Sequence, residues 1–220
     1  MLLSFIFINL ILAAFATAPL SAVGTTLPSL NVNPPYRVFN DLQKQSYHFV
    51  AYTMPSWSWV SSRYWNHNLA FRSDNYPSSL DPNVYAVAQI DFFSGIDNNL
   101  IGNIYNVSFS GNGSIGIVQN NGLNITFSPN TVGTYTLTNL NSLFVYIYNT
   151  STTNPVTGIR IIPSNNNSTF TSNFLSYVKP FQVLRYAFWQ GQNLVNNQNV
   201  TWANRATPFS ASQIISDVAL

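Results

Sequence analysis

The chain has no cysteine and no glutamate among its 220 residues, and very little charge of either sign. Without cysteine there are no disulfides, no thiolate zinc ligands and no thiol nucleophile. The acids are six aspartates, Asp41, Asp74, Asp81, Asp91, Asp97 and Asp217. They are too scattered for the carboxylate clusters of an EF-hand or a two-metal centre. Eight basic residues leave a net charge of +2 with no basic stripe for phosphates, which argues against a nucleic-acid partner. No metal or cofactor is expected. Charged residues make up 6% of the chain, against ~25% in ordinary globular domains, so neutral polar groups or attached groups must supply hydration.

What is present points to a folded protein. Apolar residues reach 46% and aromatics 15%, which excludes a disordered polar chain. Residues 2–16, LLSFIFINLILAAFA, form an apolar run followed by small residues, the layout of a secretory signal peptide. Ala14-Phe15-Ala16 and Ala22-Val23-Gly24 both offer small residues for cleavage. The run is shorter than the ~20 residues that span a bilayer, so a signal peptide over 1–24, an extracellular location and no membrane after cleavage are expected. Asparagine occurs 30 times, and seven begin Asn-X-Ser/Thr sequons: Asn106, Asn112, Asn124, Asn149, Asn166, Asn167 and Asn199. Glycans there would add the hydration that the charges do not.

The spacing predicts a mainly β protein. A short helical turn is expected at Val38–Gln45. From about residue 84, seven short runs follow: YAVAQIDFF, NLIGNIYNVSFSG, SIGIVQ, LNITFS, TYTLTNL, SLFVYIYNT and GIRIIPS. Several alternate apolar and polar residues, as half-buried antiparallel strands do. Asn120-Asn121-Gly122 is a tight-hairpin signal. These strands, at roughly ten-residue spacing, predict a β-sandwich over 25–169. The pattern then changes to a short helix (Phe170–Lys179, stopped by Pro180), a buried-type strand (Phe181–Trp189) and a helix start within Pro208–Leu220. That reads as the truncated start of an α/β domain over 170–220.

The strings FNDLQKQS (39–46), DNYPSSLDP (74–82), VSFSGNGSI (107–115), NPVTGIRIIPS (154–164), FLSYVKPFQVLRYAFW (174–189) and WANRATP (202–208) stand in one order. In that order the chain resembles the N-terminal part of large secreted cellulose-binding or glycoside-hydrolase-like proteins. The resemblance covers nearly the whole chain after the leader. It implies a jelly-roll-like sandwich, about residues 33–165, preceding the first elements of a (β/α)8 barrel. The chain departs from that pattern where acids are usual, carrying Phe188 before Trp189 and Asn204 in the WANR motif. The later barrel strands with their acidic Asn-Glu motif are absent from this sequence.

Catalysis of glycoside hydrolysis needs two carboxyl groups about 5–10 Å apart. Asp74 and Asp81 lie in turn-type text and Asp91 ends a strand, so these read as turn and cap residues and no catalytic residue is assigned. Sugar binding has better candidates. Trp57 and Trp59, two apart, would share one face of a strand, with Trp65 nearby, and sugar rings stack on such indoles. Arg185, Trp189, Trp202 and Arg205 form a second candidate cluster, at the end of an implied barrel strand. His48 and His67 are isolated, and SGNGS (110–114) lacks the lysine and helix of a phosphate loop. The expectation is a secreted, glycosylated protein that binds polysaccharide, a β-glucan for instance, and is not catalytic by itself. The alternatives are a structural or adhesive surface protein and, with more chain, a complete hydrolase.

Overall fold

The computed structural model describes residues 24–27, 37–47, 49–53, 69–93, 95–119, 124–181 and 183–186. The described protein is mainly β. Ten strands run in the order β1 (Gly24–Leu27), β2 (Val50–Thr53), β3 (Val84–Ile90), β4 (Ile104–Ser110), β5 (Gly113–Gln119), β6 (Asn124–Phe127), β7 (Gly133–Thr136), β8 (Leu143–Thr150), β9 (Thr157–Pro163) and β10 (Val183–Tyr186). Two short 3-10 turns, Leu42–Gln45 and Asn98–Leu100, and one helix, α1 (Ser172–Val178), complete it.

Two antiparallel sheets enclose one core. The first is five-stranded, in the order β2-β3-β8-β5-β6, and the second is three-stranded, β7-β4-β9. Alternation sets what each strand contributes. In β4, Tyr105, Val107 and Phe109 turn inward while Asn106 and Ser108 turn out. Ala86, Ala88 and Ile90 of β3, Ile115 and Ile117 of β5, and Leu143, Val145 and Ile147 of β8 meet them in a single cluster, with Ile159 and Ile161 of β9. The expected runs all fall on strands. β2 is an addition, hidden in sequence by its shortness beside Pro- and Trp-rich text. The SGNGS run is the tight β4–β5 turn. Gly111 there has φ +93°, and a Cβ would overlap the Pro155 carbonyl, so glycine is required.

The segments before β3 seal an exposed edge. β9 borders the three-stranded sheet, and an edge strand leaves unpaired N–H groups. The hydroxyl of buried Tyr76 accepts from Ile159 N at 2.9 Å, and Asp41 Oδ1 accepts from Ile161 N at 3.0 Å. Asp41 also caps the Leu42–Gln45 turn through Gln43 N. A buried ion pair lies close by: Arg37 donates to both carboxylate oxygens of Asp97, at 2.9 and 2.7 Å, and to the Asp91 carbonyl. Asp97 accepts in turn from Phe93 N, and the Arg37 guanidinium sits 4.9 Å over the Phe92 ring. Both carboxylate oxygens of Asp97 and the Nε and Nη2 groups of Arg37 thus have partners, which favours burial of the charge.

Residues 37–40 are laced to 168–171. Asn40 N donates to the Thr169 carbonyl and Thr171 N to the Val38 carbonyl, and the Asn40 amide donates to the Ser168 and Phe170 carbonyls. Phe39 stacks on Phe170 at 5.6 Å. The expected boundary between 169 and 170 falls inside this latch. Thr171 then caps α1 by accepting from Phe174 N at 3.2 Å. Phe174 is buried, whereas Leu175 is 47% exposed. Beyond α1, β10 pairs in parallel with β1, Gly24 opposite Val183 through Leu27 opposite Tyr186. β1 starts at Gly24, where the expected leader ends. The rest of that leader, the Asn120-Asn121-Gly122 signal and the helix expected in 208–220 lie outside the described residues.

Candidate functional site

The five-stranded sheet has a second apolar face, turned away from the core and built of tyrosine. Tyr52 of β2, Val87 of β3, and Phe144 and Tyr146 of β8 are buried there, with Tyr85, Val118 and Tyr148 half-buried beside them. The register explains the grouping. Tyr52 lies opposite Tyr85, Val87 opposite Tyr146, and Phe144 opposite Val118. The rings interlock rather than merely adjoin. Tyr52 meets Tyr146 edge to face at 6.0 Å, Tyr146 stacks on Tyr148 at 5.8 Å, and Tyr148 meets Tyr85 edge to face at 5.5 Å. Such pairs prefer these geometries because each ring carries a negative face and a positive edge.

Gly116 fixes where Tyr148 lies. It opposes Tyr146 in the ladder, and a Cβ there would overlap the Tyr148 ring and its hydroxyl. The missing side chain therefore lets the tyrosine lie down over the backbone of β5, the close approach for which a strand glycine is suited. The hydroxyl reaches across to donate to Asn124 Oδ1 of β6 at 3.1 Å. Thr126 faces Gly116 on the same surface. The result is a patch of interlocked aromatic rings bordered by amide and hydroxyl groups. Burial raises the Tyr148 hydroxyl above its usual value of 10, and the neighbouring Asn124 contact opposes this. Tyr146 is pushed up to about 12, chiefly by burial and then by the adjacent Tyr52 and Tyr148. These phenols are neutral hydrogen-bonding groups at physiological pH.

Four of the five described aspartates, Asp41, Asp74, Asp91 and Asp97, are held by structural bonds. Asp74 accepts from Tyr76 N and pairs with Arg72 at 3.1 Å, the turn role expected of it. Asp91 Oδ1 accepts from Gln89 and Ser142, and Asp97 holds Arg37. Burial raises the Asp41 carboxyl above its usual 3.8, opposed by the Ile161 N–H, Lys44 and Arg160. Lys44 is lowered, first by burial. Among the described residues no group of three or more His, Asp, Glu or Cys could hold a metal ion, and no helix is long and apolar enough to cross a membrane.

The expected site residues are placed unevenly. Trp57, Trp59, Trp65, Trp189, Trp202, Arg205, His48, His67 and Asn199 lie outside the described residues. Arg185 lies on β10, and only its backbone is described. Asn112, Asn124, Asn149 and Asn167 are exposed, while Asn106 and Asn166 are half-buried. The tyrosine face was not singled out from sequence, although its signal was there. Tyr146 and Tyr148 stand two apart, as Trp57 and Trp59 do, and Gly116 interrupts the apolar run Ile115–Val118. Comparison of the chain with protein-family models, with curated proteins and with solved structures gives no match to any of them.

Proposed function

We propose that this protein is a secreted, N-glycosylated, carbohydrate-associated protein whose tyrosine face is a platform for sugar rings. The face carries the reading. Half-exposed Tyr85 and Tyr148 offer ring surface, buried Tyr52 and Tyr146 hold them in place, and the amide and hydroxyl of Asn124 and Thr126 lie at the rim. Pyranose C–H faces pack on aromatic rings while a few polar groups bind hydroxyls, the usual composition of a small-molecule site. The jelly-roll-like sandwich implied by the sequence resemblance is supported by two antiparallel sheets around one core. Asp41, Asp74, Asp91 and Asp97 are engaged in structural hydrogen bonds, and in this reading the chain binds sugar. The apolar run at 2–16 and the sequons support the secretory address.

Affinity electrophoresis and pull-down on cellulose, chitin and β-glucans test this reading. Retention on at least one polysaccharide is expected, and Tyr85→Ala should weaken it by roughly two- to ten-fold, the value of one aromatic contact. No retention, together with self-association in sizing experiments, would instead identify a structural surface protein.

A further inference from the structure

The tyrosine platform ends at a sequon. Asn124-Ile125-Thr126 occupies β6, the border strand of the five-stranded sheet. Asn124 is exposed, and its Oδ1 is held by the Tyr148 hydroxyl at 3.1 Å. This leaves Nδ2, the atom that N-glycosylation modifies, facing away from that bond. Attachment replaces one Nδ2 hydrogen by C1 of N-acetylglucosamine. The sugar comes from a lipid-pyrophosphate donor, which departs with the proton, and Oδ1 remains an acceptor. The Tyr148 hydrogen bond therefore survives modification. None of the other described sequon asparagines has its side chain held by an aromatic hydroxyl. Asn149 commits its Nδ2 to Ser114 Oγ at 2.8 Å. Asn112 and Asn166 turn their Oδ1 to Asn154 and to Ser168 N. Asn106 is half-buried on β4, between β7 and β9.

Resting on the glycoprotein and sugar-platform reading above, we infer that the first sugar this face holds is the protein's own. The N-acetylglucosamine core on Asn124 packs over the Tyr148 ring where Gly116 lets that ring lie flat. The ligand is the proximal N-acetylglucosamine, tethered in place, so its local concentration is set by one short linkage rather than by diffusion. The same glycan would cover the free border of β6, which unlike β9 has no side chains from elsewhere bonded to its N–H groups among the described residues. A bulky hydrated group there blocks edge-to-edge association.

The test uses the full chain expressed in a eukaryotic secretory host, with site occupancy read by peptide mass spectrometry. Glycans are then removed by peptide-N-glycosidase from the folded protein, and the rate is followed at each site. Asn124 should be occupied and should lose its glycan about three- to ten-fold more slowly than Asn112 or Asn167. Tyr148→Ala should abolish that difference. Tyr148→Phe, which keeps the ring and is the milder change to folding, should retain most of it. Occupied sequons elsewhere with Asn124 bare, or equal release at Asn124 in the parent and both variants, would overturn the inference. An absence of glycan at all seven sequons would defeat the glycoprotein reading and this inference together. Polysaccharide retention by a form bare only at Asn124 would leave the platform reading standing alone.

Discussion

The two faces of the five-stranded sheet use different chemistry on the same backbone. The inner face is aliphatic, built of Ala86, Ala88, Ile90, Ile115, Ile117, Leu143, Val145 and Ile147, and packs against the second sheet. The outer face is aromatic, with hydroxyls at its border. Aliphatic side chains interdigitate to crystal-like density and make contacts in all directions. Tyrosines keep a flat surface and a polar tip, so they can satisfy the sheet below and still present something above. A sheet whose strands are apolar on both faces is two surfaces with two uses.

Truncation across β8 gives the largest contrast. Ile147→Ala on the inner face should cost about 2–5 kcal/mol, because the surrounding core cannot collapse fully into the cavity. Tyr148→Ala on the outer face should cost less, about 1–2 kcal/mol, the scale of its two half-buried ring contacts. Urea denaturation of both variants measures the pair. Equal losses would make the tyrosine face a second core and remove the argument for a platform.

Gly116 sharpens the comparison further. Gly116→Val places carbon where the Tyr148 ring lies and should cost about 1–3 kcal/mol, as overpacking does. In the double variant with Tyr148→Ala the clash has no partner, so most of that cost should vanish. An additive double variant would show that the glycine serves the backbone of β5 and not the ring.

The smallest effect is in alkaline solution. Burial pushes both Tyr105, in the core on β4 of the second sheet, and Tyr146, on the outer face, up to about 12. Unfolded tyrosine ionises near 10. A group whose proton is held more tightly in the folded state adds stability that is complete below the unfolded value and is lost as pH rises through the folded one. Stability should therefore be flat below pH 10 from these groups and fall between 10 and 12. Tyr146→Phe, which cannot ionise, should lose less over that interval than the parent in denaturation measured at pH 9 and pH 11.5. Parallel curves would mean that Tyr146 ionises freely and that the outer face opens to solvent.

The strands themselves were legible, because their alternation is local. YAVAQI, IYNVSFS and LFVYIYNT each carry a two-residue period or a continuous apolar run, and each became a strand. The turn at Asp41 and the cap role of Asp74 were readable for the same reason, since both bond their own neighbours. Sheet order was not, because β3 pairs with β8 across more than fifty residues of sequence. The Arg37–Asp97 pair and the Asp41–Ile161 bond span 60 and 120 residues, and nothing local marks either partner. For the same reason, a run of tyrosines in SLFVYIYNT reads as one buried strand until its register with Gly116 and Tyr85 is known. The strings that suggested a family resemblance, FNDLQKQS and DNYP, contain Asp41 and Tyr76, whose work here is to close an edge.

That edge closure has a consequence for synthesis. Asp41 and Tyr76 leave the ribosome long before β9 exists, and the latch of 37–40 with 168–171 must wait longer still. At the ~5–20 residues per second of translation, the delay between Asn40 and Thr171 is roughly 7 to 25 s. Through that interval the early segments stay in water with their polar groups hydrated, and contacts of such long sequence separation make folding slow. Closure of this latch is thus timed by arrival of the chain near residue 171, and a nascent chain stopped before β9 would carry its aspartate and its tyrosine with no edge to seal.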